Sequence, residues 1–157
     1  EILTKGPNVL LGYYKNEEAT RAAIDADGWF HTGDLGTMDA QGNVFIKGRS
    51  KNMLLGSNGQ NIYPEELEDK LNSMPMVSES VVIQSGDKLI GLLHPDYDEA
   101  KAMGLNDGDL ANIMEQNRQD FNAAMPPYAR LSEVRVHEEE FEKTPKKSIK
   151  RYLYTAQ

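Results

Sequence analysis

Two opposite charges stand out for the chemistry they could do together. Asp34 closes the aromatic stretch "GWFHTGDLG", and Arg49 of "KGRSKN" follows fifteen positions later. A carboxylate accepts hydrogen bonds and a guanidinium donates them in a fixed fork, so a facing pair can grip a small polar ligand. Whether they face depends on the residues between them. "TMDAQGNVFIKG" reads as two short strands around a turn, with Ala40, Gln41, Gly42 and Asn43 as turn formers and Val44 and Ile46 alternating with Phe45 and Lys47. Such a hairpin brings its ends together and sets Asp34 and Arg49 at the open end of one ribbon.

Composition narrows the class of molecule. The 157 residues are 39% apolar and 27% charged, with 25 acidic against 17 basic side chains and a net charge of -8. That is a globular composition, and it argues against a general nucleic-acid surface. The chain has no cysteine, which excludes disulfides and thiolate metal sites, and His31, His94 and His137 are too scattered for a zinc motif, so no metal site is expected. The longest apolar runs, such as "LIGLL", fall far short of the ~20 residues of a membrane-spanning helix. No segment reads as a signal peptide, and a cytoplasmic location is expected. The chain starts at Glu1 rather than Met, as expected of a piece of something longer.

The elements that must position the charges follow from local pattern. "EILTKGPNVLLGYYKN" is a short apolar strand followed by turns, which cannot bury a core alone. "NEEATRAAIDADG" predicts a helix from Glu17 to Ile24, capped by Asn16 and stopped by Gly28. "NMLLGSNGQNIY" predicts a hairpin or loop with Gly56 and Gly59 at its bend, both free to take positive φ. "YPEELEDKLNSMP" predicts a helix opened by Pro64, with Leu67 and Leu71 on one face and Met74 and Pro75 at its end. Tyr63 and Leu67 are expected in the core. "SESVVIQSGDKLIGLLHPD" is two strands joined at Ser85, Gly86 and Asp87. "DGDLANIMEQNRQDFNAAMPP" is a helix whose stripe of Leu110, Ile113, Met114, Phe121 and Ala124 faces a sheet. "EVRVHE" is a further strand, "HEEEFE" a solvated acidic edge, and "SIKRYLY" a final short helix capped by Ser148. The fold class expected is α+β. Residues 1–48 form the β-rich end of a larger N-terminal domain, and residues 49–157 form a small C-terminal domain with a short antiparallel sheet flanked by helices.

Four strings carry a resemblance that periodicity does not supply. "GPNVLLGYYKNEEAT", "GWFHTGDLG", "GRSKNMLLGSNGQNIYPEELE" and "KTPKKSIKRYLY" occur in the order and approximate spacing seen in the adenylate-forming (AMP-binding) enzymes. That superfamily comprises acyl-CoA synthetases, carrier-protein-loading adenylation domains and luciferases. The resemblance spans the chain, which is similar to the C-terminal third of such an enzyme, and the last string looks most like bacterial long-chain fatty-acid–CoA ligases. It implies an ATP-dependent carboxylate:CoA ligase that forms an acyl-adenylate and then an acyl-CoA, from a medium- or long-chain fatty acid. ATP, Mg2+ and coenzyme A are the implied cofactors and co-substrates, with Mg2+ and the acyl pocket handled mainly by an N-terminal domain absent from this chain. The fragment alone is expected to be inactive. Its partners are then its own N-terminal domain and small-molecule substrates, with at most peripheral membrane contact. Two other readings stay open: an adenylation domain that loads a carrier protein, and a noncatalytic binding or regulatory relative.

Residue by residue, the resemblance implies that Asp34 accepts hydrogen bonds from the ribose hydroxyls of ATP and the acyl-adenylate, and that Arg49 binds the nucleotide from the other strand. Lys51 falls where the family places the hinge between its two half-reactions. Gly59 and Asn61 fall beside the pantetheine arm of coenzyme A. His31 is expected to be structural. The basic segment departs from the family. Lys143, Lys146, Lys147, Lys150 and Arg151 place five of 17 basic residues in nine positions. There the family reads a small residue, then a catalytic lysine, then "IKR"; here Ser148 precedes "IKR" and the nearest lysine is Lys147. Lys147 is the candidate catalytic residue, with Lys150, or no catalytic lysine, as the alternatives.

Overall fold

The computed structural model describes residues 1–56 and 58–154. The chain divides into two units, Glu1–Met53 and Leu54–Gln157.

The first unit runs β1 (Leu3–Thr4), α1 (Glu17–Ala23), β2 (Phe30–His31), β3 (Asp34–Met38) and β4 (Val44–Arg49). Asn16 caps α1 by accepting from the Ala19 amide at 2.9 Å, and Glu17 and Glu18 favour the positive end of the helix dipole. β1 pairs antiparallel with β2, and β3 with β4, the latter running from Asp34↔Arg49 to Met38↔Val44 with a register shift between Leu35 and Gly36. The turn is closed by Asp39, whose Oδ1 accepts from the amides of Gln41 (2.9 Å) and Asn43 (2.8 Å). Among this unit's described residues only Gly48 is buried, and Met38, Val44, Phe45 and Ile46 are exposed. The unit has turns and ribbons, and none of its apolar side chains is buried.

The second unit runs β5 (Leu54–Leu55), β6 (Asn61–Ile62), α2 (Pro64–Leu71), β7 (Val77–Ser85), β8 (Lys88–Pro95), α3 (Tyr97–Ala102), α4 (Asp107–Ala124) and β9 (Leu131–Val136), then a 3-10 turn at Arg151–Leu153. β7 and β8 form the expected antiparallel hairpin. β9 joins the other side of β8 in parallel, because α3 and α4 carry the chain back before it re-enters the sheet. Apolar residues cover both faces of the sheet. Val82, Leu89 and Leu93 pack with Leu67 and Leu71 of α2 and Met114 and Phe121 of α4. Val81, Ile83 and Ile90 pack on the opposite face with Phe141, Ile149 and Tyr154. Burial on both sides explains why "VVI" and "LIGLL" are continuous rather than alternating.

Several local expectations are corrected. α2 stops at Leu71, ahead of Met74, with Asn72 as its cap. Ala124 is exposed, and the stripe of α4 is completed by Asn117, only 3% exposed, whose Nδ2 donates to the Pro75 carbonyl at 2.8 Å. The "HEEEFE" stretch is not a strand edge: Phe141 plunges into the second cluster, 2% exposed, stacked on His137. Tyr63 is half-buried rather than in the core, where Leu67 does lie. Ser148 does not cap a helix, since the 3-10 turn begins at Arg151 with Lys150 at its cap position. α3, capped by Asp96, is a further helix that the sequence pattern does not predict.

Candidate functional site

The β3–β4 ribbon brings Asp34 and Arg49 together. Their backbones are directly opposed, and Arg49 Nη1 donates to Asp34 Oδ1 at 2.6 Å and to the Thr32 carbonyl at 3.2 Å. The side chains are 32% and 53% exposed, so the pair is wet and open to a ligand. Arg49 lines a cleft of about 450 Å³ with Phe30, Thr32, Gly33 and Lys51. Lys51 itself is exposed, in the turn after β4 where the Asn52 amide donates to the Arg49 carbonyl at 3.0 Å.

The residues before Asp34 build the seat for this pair. Gly33 has φ +72, and a Cβ there would stand 3.3 Å from Arg49 Nη2, so glycine both permits the backbone and leaves room for the guanidinium. Thr32 Oγ1 accepts from the Asp34 amide at 3.1 Å and donates to the Ile2 carbonyl at 2.7 Å. Thr32 and Gly33 are site residues beyond those expected from the sequence; their signal there is a hydroxyl residue and a glycine immediately before the acid. His31 is a strut: Nδ1 lies 2.8 Å from Glu1 Oε2, and Nε2 lies 3.5 Å from Asp25 Oδ2. The Glu1 carboxylate raises the imidazole's pKa above its ordinary value, with Asp25 adding to the effect.

In the second unit, β5 and β6 form the expected small hairpin. The Gly56 amide donates to the Gln60 carbonyl and the Gly59 amide to the Gly56 carbonyl, both at 2.8 Å. Gly59 takes φ +79 with open space where a Cβ would be. Gly56 does not take positive φ; a Cβ there would sit tightly, 3.1 Å from Asn58 Oδ1, 3.2 Å from the Gln60 carbonyl and 3.3 Å from Ile62 Cδ1. Asn61 is exposed at the start of β6.

The basic segment is a tight turn on a clamped stem. Lys143 bridges Ile149 across it, the Thr144 amide donates to the Ser148 carbonyl, and the Lys147 amide donates to the Thr144 carbonyl, both at 2.8 Å. Lys147 has φ +62, the left-handed conformation usually filled by glycine. Lys146, Lys147 and Ser148 are exposed at the tip. The other basic residues are engaged below it: Lys143 with Glu79 at 2.6 Å, Lys150 with Glu142 at 3.0 Å, and Arg151 with Glu68 at 2.6 Å. The Glu142 carboxylate raises the Lys150 pKa.

Comparison with known proteins identifies the class. Residues 51–157 match the AMP-binding enzyme C-terminal domain family, and the chain belongs to it. It is 40% identical over 120 residues to the long-chain-fatty-acid–CoA ligase FadD15 of Mycobacterium tuberculosis, covering 71% of this chain and 20% of that one. It is 38% identical over 135 residues to a methyl-dioxo-octahydro-indenyl-propanoyl:CoA ligase of the same organism, covering 80% of this chain and 26% of the relative. The o-succinylbenzoate CoA synthetase of Bacillus subtilis, solved with its acyl-adenylate intermediate, superposes with a TM-score of 0.74 at 27% identity, covering 100% of this chain and 30% of that one. The chain thus spans less than a third of the length of these relatives, which are CoA ligases of chemically different acids.

Proposed function

We propose that this chain is the C-terminal part of an ATP-dependent carboxylate:CoA ligase acting on a medium- or long-chain fatty acid. The observation that carries the reading is the cross-strand pair of Asp34 and Arg49, whose arginine lines a cleft, in a chain of the AMP-binding enzyme family. In this reading residues 1–48 complete a large nucleotide-binding domain, the mobile domain begins at 49, and the enzyme works in the cytoplasm, where ATP and coenzyme A are available.

The chemistry of each side chain fits its role. Asp34 offers carboxylate oxygens to a cis-diol, and charge-assisted acceptance makes those bonds stronger than neutral ones. Arg49 holds Oδ1 in place, so a ribose reaches Asp34 without breaking the pair, and its positive charge offsets nearby phosphate. Lys51, exposed in a turn, is the pivot: its backbone can change conformation between adenylation and thioester formation without exposing a core. Gly59 and Asn61 present a narrow backbone path for the pantetheine arm. The Lys147 turn delivers an ammonium beside the carboxylate and α-phosphate, where negative charge accumulates. Any Mg2+ would act on the phosphates from the larger domain.

One observation favours a second reading. Lys147 takes a glycine-type conformation and Ser148 follows it, so the turn matches the family's small-residue–lysine pattern with serine in the lysine's place. A noncatalytic relative fits that arrangement. The test is acid-dependent ATP–pyrophosphate exchange by the full-length protein over a panel of acids, followed by thioester formation. Exchange with fatty acids and transfer to coenzyme A support the ligase; transfer to a carrier protein alone supports a loading domain; no exchange with any acid supports the noncatalytic relative.

A further inference from the structure

We infer that Glu68 and Arg151 are a positioning pair that fixes the Lys147 turn for adenylation, an inference that rests on the proposed role of that turn in the acyl-adenylate step. The pair is bidentate, with Arg151 Nη1 to Glu68 Oε1 and Nη2 to Oε2 both at 2.6 Å. It is largely buried, with side chains 19% and 10% exposed. It is also wired into the sheet. Glu68 Oε1 accepts from the Val82 amide at 2.6 Å, and Arg151 Nη1 donates to the Val82 carbonyl at 3.2 Å.

Val82 lies on β7, an edge of the three-stranded sheet, and the ion pair takes its N–H and C=O as a neighbouring strand would. Arg151 is therefore held in position and in orientation by both α2 and β7. Two residues earlier, Ile149 pairs with Lys143 and packs with Phe141 and Tyr154 against Val81, Ile83 and Ile90. The Glu142 amide donates to Tyr154 Oη at 2.7 Å, and the Lys150 amide donates to the Glu142 carbonyl at 2.8 Å. Both stems of the turn are thus tied to the sheet, while Lys146, Lys147 and Ser148 at its tip stand exposed.

Stability alone is a weak reason for such a pair, because a buried ion pair is often replaced by apolar residues at no loss. What apolar residues cannot reproduce is a fixed two-point direction. A turn that must present one side chain to a reacting phosphorus gains from that, since a misplacement of about 1 Å costs on the order of 100-fold in rate. Glu68 and Arg151 touch no substrate in this scheme and act through the turn.

The experiment compares Arg151→Met, Arg151→Lys, Glu68→Gln and Lys147→Ala in the full-length enzyme. It measures pyrophosphate exchange, thioester formation from supplied acyl-adenylate, and hydrogen exchange at the Lys147 amide. Arg151→Met should slow pyrophosphate exchange on the order of 100-fold with an unchanged KM for ATP, and should speed hydrogen exchange at Lys147. Thioester formation should stay at the parent rate, and Arg151→Lys should recover part of the loss. If Arg151→Met does not fold, Arg151→Lys and Glu68→Gln carry the same comparison. Equal loss of both half-reactions makes the pair merely structural and overturns the inference. An unimpaired Arg151→Met beside a slow Lys147→Ala overturns the inference but leaves the role of the turn standing. Parent rates in both overturn the two together.

Discussion

Replacing Lys147 by glycine separates the backbone from the ammonium. Lys147 sits at φ +62, and a left-handed backbone costs an L-residue roughly 1–2 kcal/mol. Glycine removes that cost but gives back about 0.4–1 kcal/mol through a freer unfolded chain. The side chain is exposed at the turn's tip, so little packing is lost. The net expectation is a gain of about 0.5–1 kcal/mol, which at about 2–4 °C per kcal/mol for a chain of this length raises the melting midpoint roughly 1–4 °C. Pyrophosphate exchange by the full-length enzyme should nevertheless fall about 10²–10³-fold, the usual loss when one donor to a developing charge is removed. Adding Ser148→Lys to Lys147→Gly restores the family's pattern and should recover exchange. A lowered midpoint would refute the left-handed turn, and exchange at the parent rate would refute Lys147 as the ammonium donor.

Gly33→Ala forces a Cβ to within 3.3 Å of Arg49 Nη2 at φ +72; the full-length variant should bind ATP more weakly, as read by nucleotide titration. Lys51→Pro restricts the proposed pivot, so thioester formation should collapse while pyrophosphate exchange survives, and equal loss of both would indicate misfolding. Arg118 holds Glu115 down to a pKa of about 2 from an ordinary 4.5. The folded state therefore favours the carboxylate, and this contribution is present above pH 4.5 and lost as pH falls toward 2. With Glu115 46% exposed the effect is small and salt-sensitive; acid titration of stability should show it vanish in Glu115→Gln.

What the sequence revealed is what local chemistry dictates. The Asp39-to-Asn43 turn sets the register of β3 and β4, and with it the meeting of Asp34 and Arg49. The Asn16 cap and Pro64 at the start of α2 are likewise local. The features not foreseen depend on partners remote in sequence. β9 runs parallel to β8 only because of what lies between them. Asn117 is buried because the Pro75 carbonyl, 42 positions away, needs a donor. Glu68 and Arg151, 83 positions apart, resemble two ordinary surface charges until folding brings them together. Charge is a poor guide to exposure when a partner waits elsewhere in the chain.

The most direct test of the proposed nucleotide clamp is the ATP dependence of pyrophosphate exchange in the full-length protein, measured for the parent and for Asp34→Ala with ATP and with dideoxy-ATP. Losing hydrogen bonds to a charged group costs about 1.5–3 kcal/mol, and each 1.4 kcal/mol is about tenfold, so the ATP requirement should rise roughly ten- to a hundredfold. The parent should strongly prefer ATP over the analogue that lacks ribose hydroxyls, and Asp34→Ala should lose that preference. An Asp34→Ala enzyme with unchanged ATP dependence that still discriminates between the two nucleotides would contradict the clamp.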